Sequence, residues 1–167
     1  MLTSRRKFFG AFAALAGAAL VAPSALASVA NAGGTDFVPL RANAQGEASR
    51  IAIEIDKRTQ RMIVVVDGEK RATYRVSTGK EGHETPRGTF RVLLMKEMHY
   101  SRKYDNAPMP FSIFFTNNGH AIHATNAVGR LGRPASHGCV RLSPKDARAL
   151  YELVESTGAR NTSIKIV

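Results

Sequence analysis

Between Ile51 and Val66 the chain carries a pattern that only extended backbone can use. Ile51, Ile53 and Ile55 are separated by Ala52 and Glu54, the period-two spacing that turns every apolar side chain to one face of a strand. Arg61 to Val66 follows as a largely β-branched run. It ends at Asp67-Gly68, residue types that tolerate the positive φ of a tight hairpin turn. Ala72 to Ser77 reads as the returning strand. Gly88 to Met95, Phe111 to Thr116, Ala121 to Ala124 and Ser163 to Val167 read as further strands. One helix stands out: Ser143 caps it, Pro144 takes its first turn, and Asp146 suits the positive end. Ala147, Leu150, Tyr151 and Val154 follow helical spacing, and Gly158 stops it. The expected fold is mainly β, a small β-sandwich or barrel-like sheet with one principal α-helix.

Upstream of that pattern the sequence is of another kind. Residues 1–32 hold Arg5, Arg6 and Lys7 and no acidic residue, followed by fifteen residues, Phe8 to Ala22, without a charge. Fifteen is short of the roughly 20 needed to span a hydrocarbon core and suits the apolar region of an export signal. Ala25-Leu26-Ala27 and Ala30-Asn31-Ala32 offer cleavage sites, and Ser4-Arg5-Arg6-Lys7-Phe8-Phe9 resembles a twin-arginine signal. Residues 33–49, rich in Gly, Ala and Asn, read as a linker. The expected division is a cleavable signal over 1–32, a linker over 33–49 and one domain over 50–167, with no stable membrane span after cleavage.

Export changes the meaning of the charge. The chain has 24 Lys+Arg against 13 Asp+Glu; without the three leader cations 21 basic residues face 13 acidic ones, a net +8. Outside the cytoplasm the polyanions at hand are envelope polymers rather than chromosomal DNA. Nothing resembles the interleaved aromatics of a nucleic-acid platform, so no nucleic-acid partner is expected.

The chain has a single cysteine, which excludes an internal disulfide framework. A free thiol in an oxidising compartment is a liability, so its retention points to chemistry. It lies in Ser136-His137-Gly138-Cys139-Val140-Arg141-Leu142, downstream of Ala121-Ile122-His123-Ala124-Thr125. A thiolate is the nucleophile, and a nearby histidine supplies it. His137 qualifies because residues i and i+2 of an extended segment share a face. His123 qualifies by approach from an adjacent strand. Physical reading of the residues leaves both open. Gly138 permits a tight turn, and the Gly138 and Cys139 amides are candidates for an oxyanion. Arg141 suits a carboxylate, whereas Arg130 and Arg133 read as solvated surface. His123, His137 and Cys139 are also zinc-type ligands, but nothing completes a recognisable ligand spacing, so no metal and no cofactor are expected.

The motif Ser136-His137-Gly138-Cys139-Val140-Arg141, with Ile122-His123 before it, resembles the signature of the L,D-transpeptidase catalytic domain, the YkuD type. Val76-Ser77-Thr78-Gly79-Lys80, Thr85-Pro86-Arg87-Gly88-Thr89-Phe90 and Met109-Pro110-Phe111 resemble its upstream stretches. The resemblance spans about residues 50–167. It implies Cys139 as nucleophile and His123 as the histidine exchanging a proton with the thiol. His137, Ser136, Gly138 and Arg141 become site-organising positions, and Arg141, Gly138 and Ala124 substrate-contacting ones. Position 124 is often glycine or serine in such enzymes; its backbone carbonyl orients the histidine, so Ala124 is acceptable. The implied activity is acyl transfer on peptidoglycan stem peptides in the periplasm or cell envelope. The enzyme would release a terminal D-alanine, and an amine of a second stem or of an envelope protein would accept the acyl group. An L,D-carboxypeptidase using water and a non-catalytic wall-binding module are the alternatives.

Overall fold

The structure, a computed structural model, describes residues 49–167. The expected signal over 1–32 and nearly all of the expected linker lie outside the described residues. Two mixed sheets and a single α-helix make up the described part. The first sheet runs in the order β3-β2-β1-β9-β4 and the second β5-β6-β7-β8. Their ranges are β1 Ile51–Asp56, β2 Arg61–Val66, β3 Glu69–Arg75, β4 Gly88–Arg91, β5 Leu94–Ser101, β6 Ala107–Phe114, β7 Ala121–Ala124, β8 Val140–Leu142 and β9 Thr162–Ile166.

The alternation in β1 is realised as expected: Ile51, Ile53 and Ile55 are buried and Ala52 and Glu54 exposed. Each inward isoleucine contributes roughly 1.5–3 kcal/mol by leaving water. Asp67 and Gly68 take positive φ values of 51° and 84°, the turn that matches strand twist in a two-residue hairpin. Helix α1, Pro144–Thr157, starts at Ser143, whose Oγ accepts the Asp146 amide at 3.1 Å, and ends at Gly158. It packs on β6, β7 and β8. Its stripe of Ala147, Leu150, Tyr151 and Val154 joins the inward residues of β1, β2, β7, β8 and β9 in one apolar core.

Three strand boundaries differ from expectation. The returning strand β3 starts at Glu69 rather than Ala72 and ends at Arg75 rather than Ser77. It is an edge strand, where exposed charges such as Glu69, Lys70 and Arg71 are tolerated. The stretch Gly88 to Met95 is two strands in different sheets: β4 pairs with β9, while β5 pairs with β6 as far as Ser101. The continuous apolar run Val92 to Met95 conceals that crossing. Strand β6 starts at Ala107, before Phe111, and contains Pro108 and Pro110. Both prolines pair with β5, whereas β7 reaches β6 only at Ile113 and Phe114. The prolines therefore lie where β6 is locally an edge, the setting in which a missing N–H costs little.

Candidate active site

Strands β7 and β8 are parallel neighbours in the register Ile122 to Val140, His123 to Arg141 and Ala124 to Leu142. Ile122, Ala124, Val140 and Leu142 turn into the core. The intervening His123 and Arg141 therefore face the other side. Cys139, two residues before Arg141, shares that side. His123, Cys139 and Arg141 line one open cavity of about 1400 Å³, together with residues of β5 and β6 and of the segments around Tyr104 and His120. His137 is also at this cavity; Arg130 and Arg133 are exposed and outside it.

The loop leading to Cys139 is tied to the first sheet by the segment after β3. Arg75 donates to the Leu131 carbonyl at 2.8 Å and Ser77 Oγ to that of Arg133 at 2.8 Å. The amides of Ala135 and Ser136 both donate to Thr78 O, and Ser77 and Arg141 exchange a backbone pair. Thr78 is in turn held by buried Gln60, whose amide oxygen accepts the Thr78 N–H at 2.8 Å and whose nitrogen donates to its hydroxyl at 2.7 Å. Gly79 donates to Thr85 Oγ1 at 2.8 Å. A Cβ at position 79 would lie 1.9 Å from the His83 carbonyl oxygen, so only glycine fits there.

His123 is buried, and its Nδ1 lies 2.8 Å from the Ala124 carbonyl oxygen. A carbonyl only accepts, so Nδ1 carries the proton and Nε2 the free lone pair. Burial pulls this imidazole down to about 4; the Ala124 carbonyl acts in the opposite sense, and the charge of Arg141 adds a further depression. Burial likewise pushes the Cys139 thiol up, against the Ala121 amide and Arg141, which favour the thiolate. Both groups are thus held neutral at rest. Cys139 Sγ lies 3.9 Å from the Gly119 carbonyl oxygen.

Ser136, fully buried, donates its hydroxyl proton to Cys139 O and accepts the Gly138 amide at 3.1 Å. The Gly138 N–H is therefore engaged within the loop rather than presented to the cavity. His137 points away from the interior: it stacks on Tyr104 at 4.8 Å and meets His83 edge-on at 4.8 Å. The chain has five histidines, and all gather here. His99, His120, His123 and His137 line the cavity, and His83 touches His137. His120 and Gln60 escaped the sequence reading. The only signal for His120 is its place three residues before His123, which strand alternation does not single out. Among the described residues no group of three or more His, Cys, Asp and Glu is arranged to hold a metal ion.

The family model for the L,D-transpeptidase catalytic domain, YkuD, matches residues 50–166. The chain belongs to the YkuD family. The L,D-transpeptidase candidate YqjB of Bacillus subtilis is 30% identical over 112 residues, 60% of this chain and 64% of that protein. Among solved structures, an L,D-transpeptidase from Mycobacterium smegmatis is 26% identical with a TM-score of 0.64, over 71% of this chain and 59% of that one. An L,D-transpeptidase from Stackebrandtia nassauensis is 28% identical with a TM-score of 0.61, over 72% of this chain and 56% of that one. The chain thus spans less than two thirds of the length of these relatives. The mainly-β YkuD fold, with one α-helix among the described residues, agrees with the expectation from sequence.

Proposed function

We propose that this YkuD domain is an exported cysteine acyltransferase acting on peptidoglycan stem peptides. The observation that carries the reading is the shared cavity of His123 and Cys139, with the Ala124 carbonyl leaving Nε2 of His123 as its basic atom. Family membership and the names of the relatives support the substrate class. The signal-like residues 1–32 support a periplasmic or envelope location, and among the described residues no helix is long and apolar enough to cross a membrane.

The chemistry follows from a neutral pair. As Sγ of Cys139 bonds to the peptide carbonyl carbon, its proton passes to Nε2 of His123. The carbonyl π pair moves onto oxygen, where the Cys139 amide receives it. Collapse breaks the C–N bond, and histidinium gives its proton to the departing amine of a terminal D-alanine. Neutral His123 then deprotonates an acceptor amine, which attacks the thioester and regenerates the thiol. Arg141, half-buried beside His123, holds a carboxylate of the substrate. The amine of a second stem gives a cross-link; that of an envelope protein gives attachment to the wall.

Incubating the protein with a tetrapeptide stem should give a thioester adduct by intact mass, and Cys139→Ala and Cys139→Ser should give none. Undiminished product with either variant would overturn the assignment. With an acceptor present, cross-linked dimer is expected; trimmed tripeptide alone would make the enzyme a carboxypeptidase.

A further inference from the structure

An oxyanion needs more than one donor to be held well, and in this loop the Gly138 amide already donates to Ser136 Oγ. The side chain packed against Gly138 is His120. A Cβ built on Gly138 would lie 2.9 Å from His120 Cδ2 and 3.0 Å from His120 Nε2. The ring edge bearing Nε2 therefore rests against the residue that immediately precedes the nucleophile. The same segment surrounds the thiol, since Sγ approaches the Gly119 carbonyl and receives the Ala121 amide. His120 lines the cavity beside Cys139.

Thr116 Oγ1 accepts the backbone N–H of His120 at 3.1 Å and lies 2.9 Å from His120 Nδ1. Among the described residues the Thr116 hydroxyl hydrogen has no other acceptor, so it goes to Nδ1, which makes Nδ1 an acceptor and puts the imidazole proton on Nε2. Phe115, stacked on the ring at 6.2 Å, supports its plane.

We infer that His120 is a second oxyanion donor, its Nε2–H binding the substrate carbonyl oxygen beside the Cys139 amide while that carbon is tetrahedral. The inference rests on the acyl-transfer reading. No proton moves to or from His120: the thiol proton goes to His123, and His120 only donates a hydrogen bond that shortens as charge grows on oxygen. Burial and the charge of Lys103 hold the ring below the usual imidazole range, so at neutral pH it is an uncharged donor.

The test compares two reactions of Cys139, acylation by a tetrapeptide stem, which passes through an oxyanion, and alkylation by iodoacetamide, which does not. His120→Phe keeps the ring and loses the donor. Acylation should fall by about 10² while alkylation stays within about twofold of wild type. His120→Gln, which restores a side-chain N–H, should recover part of the loss. Equal falls in both reactions would make His120 a structural support and overturn the inference, as would unchanged acylation in His120→Phe. A wild-type protein that no stem acylates overturns the substrate reading instead; the same variants acylated by a carbapenem, whose ring opening also builds an oxyanion, still decide the role of His120. If His120→Phe does not fold, His120→Gln and Thr116→Val carry the comparison, each expected to slow acylation and spare alkylation.

Discussion

His123, to which the proposed mechanism gives the proton transfer, also makes the fold respond to acid. An unfolded histidine binds its proton near 6.5, whereas this one is held at about 4 by burial. Between those values the unfolded chain carries more protons, so stability falls as pH is lowered through that window and is level above it. The loss amounts to about 3 kcal/mol from this group when integrated over the shift. Denaturant titrations at pH 7.5 and 4.5 should show wild type losing about 2–3 kcal/mol more than His123→Gln; equal losses would refute the buried neutral imidazole. Gly138 is a second sensitive residue. Its φ of 112° and the His120 ring against it predict that Gly138→Ala lowers the acylation rate steeply and costs about 1–3 kcal/mol of stability, read by adduct formation and by melting. Cys139, His123 and Arg141 stand out in the sequence as candidates because of their residue types, and the fold brings all three to one cavity. Gln60 and His120 do not stand out. A glutamine after a strand and a histidine beside a glycine carry no pattern, and their importance comes from Thr78 and Gly138, which the fold alone brings to them.

Among the elements, α1 was the easiest to read, because its signals are local. Cap, first-turn proline, apolar stripe and terminal glycine all fall within one stretch of chain. Ser143 Oγ both accepts the Asp146 amide and donates to its carboxylate at 2.7 Å. Ser143→Ala should therefore cost about 1 kcal/mol, measured by chemical denaturation, with His123 and Cys139 untouched. Leu150, fully buried beneath the second sheet, should cost about 2–5 kcal/mol as alanine. Strands were less legible at their ends. Whether Glu69 or Pro108 belongs to a strand depends on which neighbour lies beside it, and that neighbour is set by the sheet order rather than by local sequence.

At the scale of the whole molecule, the pairings that matter join distant segments. β1 runs parallel to β9, Ile51 beside Thr162, more than a hundred residues away, and no periodicity encodes that choice. The surplus of positive charge is legible and makes its own forecast. If the exported domain meets an anionic wall, its binding to isolated sacculi should weaken severalfold between about 50 and 300 mM salt, as read by co-sedimentation. Salt-independent binding would mean the charge serves solubility alone. The parallel pairing of β7 and β8 has one more consequence. His123 and Cys139 are brought together by the ladder, while the chain between them makes a surface excursion whose ends are tied to Leu142, Val76 and Thr78. Inserted residues in the exposed part of that excursion, around Val128 to Arg130, would leave the register intact. The excursion is thus a place where the domain can be lengthened, fused or given a new recognition loop without re-engineering the pairing of His123 with Cys139.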